Sequence, residues 1–196
     1  MGDDMDNVTK ESKGDIYDQL YSPYYQKKKT IEFWQPVQEA GKLLAIMDDN
    51  HTNRSKQLSD WRIVKDVCEE IKARYGGFGT FFDLRIGDWQ YTIYCLHGKR
   101  CGTTPSAALN ALLRMRERCF SDIYLRGHHH QKQVHQLEIK KLTKEGLATH
   151  KQSFGITGSF LNWDDSYAEM LEYNLSVQGC IKIKLFVKKW DVHISL

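Results

Sequence analysis

Apolar and polar positions along the chain come in short blocks that switch between helical and strand periods. Residues 7–29 are polar and irregular, with Ser22-Pro23 as a turn signal. Residues 31–40 read as a helix that takes Pro36 into its first turn and stops at Gly41. The run 42–47 is continuously apolar, the pattern of a strand buried on both faces, and Asp48-Asp49-Asn50-His51 follows as a loop. Asp60 is placed to cap a helix through Trp61, Ile63, Val64, Val67, Cys68 and Ile71, closed by Gly76-Gly77. Two strand-like runs, 78–86 and 89–96, flank the hairpin dipeptide Gly87-Asp88, and His97-Gly98 ends the second. Thr104-Pro105-Ser106 opens a helix with Leu109, Leu112, Leu113 and Met115 on its apolar positions. A strand over 121–125 runs into Gly127-His128-His129-His130. Further strands are expected over 133–142, 153–161 and 179–194, the last alternating through Ile181, Ile183, Leu185 and Val187. The pattern predicts a mixed α/β fold in a single domain spanning 1–196.

Composition narrows the function classes. With 196 residues and 41% hydrophobic content the chain is long and apolar enough to bury a core. A net charge of +3 is too balanced to argue nucleic-acid binding by itself, and Lys27-Lys28-Lys29 reads as a solvated loop or helix end. No apolar run approaches the length of a membrane span, and the acidic start Met1-Gly2-Asp3-Asp4 lacks a signal-peptide layout. Cys68, Cys95, Cys101, Cys119 and Cys180 show no zinc-ribbon spacing and read as reduced thiols rather than catalytic ones.

The candidate chemistry lies at the junctions between elements. Gly127-His128-His129-His130 follows a strand directly, and imidazole is the commonest neutral metal ligand. On an extended backbone His128 and His130 lean the same way and His129 the other. Three further junctions carry carboxylate, amide or imidazole groups: Gly2-Asp3-Asp4-Met5-Asp6, Asp49-Asn50-His51, and His97-Gly98. Oxygen and imidazole donors of this mixture suit Mn²⁺, Fe or Zn²⁺ and build two-metal hydrolytic centres.

In this order the four clusters resemble the motifs of the calcineurin-like metallophosphoesterase superfamily. The segment Gly155-Ile156-Thr157-Gly158-Ser159-Phe160, with Tyr167-Ala168-Glu169 after it, is similar to members found in bacteriophage genomes. The resemblance implies a four-layer α/β/β/α sandwich of two mixed sheets. It implies that Asp3 bridges two ions, that Asn50, His97 and His128 complete the second site, and that His130 serves the first. His51 is then the group that contacts the phosphate and protonates the leaving oxygen, and Asp6 buttresses its loop. The implied reaction is hydrolysis of a phosphate mono- or diester by a hydroxide activated between divalent ions (Mn, Fe or Zn, with Mg as a further option). Nucleic acid or a nucleotide is a candidate substrate. The implied location is the cytoplasm, that of the host for a phage protein.

Two departures qualify the resemblance. The family's Asp-x-His motif does not precede Gly2, so the fold is expected to lack its first strand and the first metal site to keep only Asp3 and His130. The family's Gly-Asn-His-Glu reads here as Asp49-Asn50-His51-Thr52, losing a glycine and a carboxylate that orients a ligand. The alternative is therefore a degenerate, non-catalytic module that binds phosphate or nucleic acid, or an inactive fragment.

Overall fold

The computed structural model describes residues 1–10, 12, 16, 17, 19–99, 101, 102, 104–164, 169, 172 and 176–196. Tyr167 and Ala168 of the phage-like segment lie outside the described residues. The protein is mixed α/β: among the described residues, four α-helices accompany a five-stranded mixed sheet and two small two-stranded sheets. Two compact units are formed, one from Met1–Thr80 with His97–Lys99, the other from Phe81–Leu96 with Arg100–Leu196.

The first unit is built on three helices. Helix α1 (Pro23–Glu39) starts eight residues before the predicted 31–40. Ser22 is its extended N-cap and Pro23 occupies the first turn, so the Ser-Pro signal marks a helix start instead of a turn. Pro36 is consequently interior, and Lys27–Lys29 lie within the helix. Helix α2 (Thr52–Ser59) has almost entirely polar residues and so no apolar period that predicts it. Asp60 does not cap the next helix: it closes α2 in a left-handed conformation with φ 54°. Helix α3 (Ile63–Glu70) buries Ile63, Val64, Val67 and Cys68, and these pack with Met5, Ile46 and Ile71. Ile31 and Trp34 of α1 close this core. The predicted strand over 42–47 is reduced to a single parallel bridge, Ile46 to Tyr75.

The second unit holds the five-stranded sheet, in the order β1 (Gly79–Ile86), β2 (Trp89–Leu96), β3 (Ile123–Arg126), β5 (Gly146–Ile156), β4 (Gln133–Thr143). β2, β3 and β5 run parallel, with Ile93, Ile123 and Ser153 in register, and β4 returns antiparallel along β5. Between β2 and β3 the chain forms α4 (Pro105–Leu113), capped as expected by the Thr104 hydroxyl, which accepts the Ala107 N–H. Ala108, Leu112 and Met115 pack on Tyr94, Tyr124, Phe154 and Ile156 of the sheet.

The C-terminal alternation does not make one strand. It divides into β7 (Gly179–Cys180), which pairs with β6 (Gly158–Ser159) from the end of the predicted 153–161 run, and β8 (Lys182–Leu185) paired with β9 (Val192–Ser195). Tyr91 causes part of this break, since its buried hydroxyl donates to the Phe186 carbonyl and anchors the bend at 2.8 Å. Gly155 admits the small sheet onto the large one: a Cβ there would overlap Ile181 and stand 3.0 Å from Ile194 Cδ1. No helix among the described residues is long and apolar enough to cross a membrane.

Candidate metal centre

The first unit brings Asp3, Asn50, His51 and His97 together. His97 follows β2 and is 1% exposed. Its Nδ1 lies 3.0 Å from the Met1 carbonyl. A carbonyl only accepts, so Nδ1 carries a proton. Its Nε2 sits 2.9 Å from Asn50 Oδ1 and 3.6 Å from Asp3 Oδ1. One imidazole nitrogen, one amide oxygen and one carboxylate thus converge. Such a cluster is favourable when a cation shares it.

Backbone geometry places Asp3. Gly2 has φ 88°, and a Cβ on it would stand 2.7 Å from His97 Nδ1 and 2.8 Å from Asp49 Cβ, so only glycine fits against the imidazole. Asp3 itself has φ 61° and its N–H donates to Asp49 Oδ2 at 2.7 Å.

Asp49 organises the centre from beneath. It is fully buried. Its Oδ1 accepts the Thr52 N–H at 2.7 Å and the Thr52 hydroxyl at 3.0 Å, at the start of α2. A carboxylate at a helix N-terminus satisfies an otherwise unpaired N–H and complements the helix dipole. Asp49 is not among the residues with positive φ, so its position does not call for a glycine's backbone freedom. Thr52 serves this cap.

His51 flanks the cluster at the head of α2. Its Nδ1 lies 3.0 Å from the Asp6 carbonyl, which fixes that nitrogen as the N–H, and its Nε2 faces Asp3 Oδ1 at 3.7 Å. Asp6 acts through its backbone: its carbonyl also accepts from Arg54 Nη1 at 3.0 Å while its side chain is exposed. Asn7, buried and with φ 44°, donates to the His51 carbonyl at 2.6 Å and accepts from the Ser55 hydroxyl at 2.9 Å. Its N–H donates to Gln26 Oε1 of α1. Asn7 therefore locks the Asp3–Asp6 loop to two helices.

Further carboxylates reinforce the negative potential. Burial pushes the Asp4 carboxyl up, and the neighbouring Asp49 and Asp3 add to that. Trp34 Nε1 donates to it at 3.2 Å. Burial likewise raises Asp48, which receives the Tyr75 hydroxyl.

His128 and His130 belong to the second unit, on the loop after β3. The loop is not extended. His128 has φ 68° and the His129 N–H closes onto the Gly127 carbonyl at 2.9 Å, a tight three-residue turn centred on His128. Strict alternation through the three histidines therefore fails, although His129 does turn elsewhere: its Nε2 meets Cys101 Sγ at 2.7 Å. Burial, with Arg126 and His130 nearby, lowers the His129 pKa. Buried Cys68 and Cys95 are pushed up to about 11 and about 12, which keeps both as protonated, inert thiols.

Sequence reasoning found the donors and missed Asp49 and Asn7 as their positioning groups. The available signal for Asn7 was its tolerance of left-handed backbone beside the Asp3–Asp6 loop. For Asp49 it was the spacing to Thr52, an N-terminal capping pattern. In comparison with known proteins, no family model matches the chain and no curated protein matches it in sequence.

Proposed function

We propose that this chain is a metal-dependent phosphoesterase of the calcineurin-like kind, acting on phosphate mono- or diesters. The observation that carries this reading is the convergence of Asp3 Oδ1, Asn50 Oδ1 and His97 Nε2, with His51 Nε2 beside them. The donor set fits a divalent ion: three protein ligands of hard and borderline character, one of them an imidazole whose other nitrogen rests on a backbone carbonyl. Mn, Fe and Zn suit it, and Mg is the harder alternative. Bound there, divalent ions would acidify a water and neutralise phosphoryl oxygens.

The remaining steps belong to the chain's own groups. Asp3 and Asn50 supply fixed oxygens, and His97 supplies a nitrogen whose orientation the Met1 carbonyl holds. Asp49 keeps the Asp3 backbone in place. His51, with Nδ1 anchored on the Asp6 carbonyl, holds a proton on Nε2 when charged and gives it to the departing oxygen. The family resemblance adds His128 and His130 to the ligand set, a four-layer arrangement to the fold and a cytoplasmic location. Each is part of the proposal.

The test is hydrolysis of a nitrophenyl phosphate ester by chelator-treated protein with Mn²⁺ restored, compared with His97→Ala. Metal-dependent turnover lost in the variant supports the reading. The mutual engagement of Asp49 and Thr52 favours a second reading, a module that binds without turning over, because no carboxylate at position 52 orients a ligand. Tight metal binding with no turnover on mono- or diesters assigns that one.

A further inference from the structure

We propose that the β4–β5 ribbon of the second unit is an arm that binds duplex nucleic acid. This stands apart from the metal centre and holds whether or not the chain is a hydrolase. The starting point is charge. Across 132–151 and 179–196, nine lysines stand against Glu138, Glu145 and Asp191, a net +6 in a chain whose total is +3. The rest of the molecule is therefore slightly acidic, and the basic charge is concentrated on the ribbon and on the small β8–β9 sheet that packs against its strands.

Geometry makes the ribbon available. β3 pairs only with Ser153–Ile156 of β5, so among the described residues 146–152 are hydrogen-bonded in the sheet to β4 alone; of these 146–149 are exposed, His150 and Lys151 half-buried and Gln152 buried. At about 3.4 Å per residue the exposed end, 140–143 paired with 146–149, is roughly 14 Å of two-stranded ribbon. Residues 140–149 are all exposed, which a half-buried sheet face does not produce. A two-stranded ribbon fits the major groove of a duplex.

The side chains at its end suit that occupant. Lys140, Lys141 and Lys144 are exposed, and among the described residues no carboxylate forms an ion pair with them. Lys140 Nζ donates to Thr149 Oγ1 and Lys141 lies 4.2 Å above the Phe120 ring, contacts that leave their charge unneutralised. Lys182 and Lys184 alternate outward from Ile183 and Leu185 on β8 and extend the basic surface. By contrast Lys151 and Lys189 are both consumed by Asp191.

Between the lysines, Leu142 and Leu147 face each other across the strands and are 77% and 71% exposed. Protection of a sheet edge needs charge alone and is worsened by exposed leucines. Apolar side chains flanked by lysines can, however, contact thymine methyl groups in the major groove while phosphates are neutralised alongside. Lysine charge thus supplies affinity and the leucine pair supplies contact with the bases.

The experiment is fluorescence anisotropy with a labelled DNA duplex of about 30 base pairs in the presence of EDTA, over a salt series. The wild-type chain is expected to bind, with affinity falling as salt rises. The triple variant Lys140→Ala, Lys141→Ala, Lys144→Ala should weaken binding at least tenfold at low salt. It should also reduce the slope of log K against log salt by about 2–3, near 0.9 for each phosphate that is no longer neutralised. Leu142→Ser with Leu147→Ser should weaken binding and leave the slope unchanged. All these positions are exposed, and an unchanged thermal melt checks that the variants fold. No binding of the duplex, an unchanged slope in the lysine variant, or binding to phosphatidylserine vesicles in place of the duplex would each overturn the proposal.

Discussion

Replacing Asp49 tests how the centre is held. The fully buried carboxylate accepts from the Asp3 N–H, the Thr52 N–H and the Thr52 hydroxyl. In Asp49→Ala all three donors lose that partner, and the Thr52 hydroxyl keeps the residue-49 carbonyl at 3.3 Å as an alternative acceptor. Hydrogen bonds to a charged group contribute about 1.5–3 kcal/mol each, and the loss is offset in part because a charge no longer has to be buried. The net expected loss is about 3–5 kcal/mol, within which the helix cap accounts for about 0.5–2 kcal/mol. Asp49→Asn is the informative companion. Its carbonyl oxygen still serves Thr52, but its amide nitrogen meets the Asp3 N–H donor to donor. One bond is lost instead of three, about 1–3 kcal/mol. Urea unfolding of the three proteins reads these values directly. Divalent-metal affinity should fall in both variants, because Asp3 is the residue released. An alanine variant within about 0.5 kcal/mol of wild type, or an asparagine variant less stable than alanine, would refute the reasoning.

Three further outcomes follow from the same geometry. His51→Ala should leave metal content intact and slow esters with poor leaving groups by about 10²–10⁴ while sparing nitrophenyl esters, since a nitrophenolate needs little protonation; loss of metal would make His51 a ligand. Gly155→Ala should destabilise the chain by about 1–3 kcal/mol through overpacking against Ile181 and Ile194, and a neutral result in a thermal melt would show that the small sheet does not rest there. Lys151 and Lys189 hold the Asp191 carboxyl down to about 2. A depressed folded pKa gives stability that is present above the ordinary carboxylate value and is lost as pH falls through about 2. Asp191→Asn should therefore melt below wild type at pH 5 and converge with it toward pH 2, by a small amount because the pair is partly exposed; parallel curves would sink that assignment.

Elements marked by local punctuation were legible in the sequence. Gly87-Asp88 set the β1–β2 hairpin, and Thr104-Pro105 set the start of α4 with its cap. Elements whose cause lies elsewhere in the chain were not. α2 has no apolar periodicity and depends on Asp49 and Asn7 for its anchoring. The polar first half of β5 is a strand because β4 pairs with it. Ser22-Pro23 fits a turn and a helix start equally well, and only the helix that follows decides. Within the candidate site, Asp3, Asn50, His51 and His97 carried recognisable chemistry at glycine-rich junctions. Asp49 and Asn7 did not, because a buried polar side chain is identified by its partners. The turn at His128 escaped for the same reason, being set by the hydrogen bond from His129 to Gly127.

Calorimetric titration of chelator-treated protein with Mn²⁺ tests the metal centre most directly. The expected result is one tight ion per chain, reduced by at least tenfold in affinity by His97→Ala and by Asn50→Ala, with both variants retaining a cooperative melt. Heat of binding that is absent in the wild-type protein, or that is unchanged in both variants, would contradict a centre built on Asp3, Asn50 and His97.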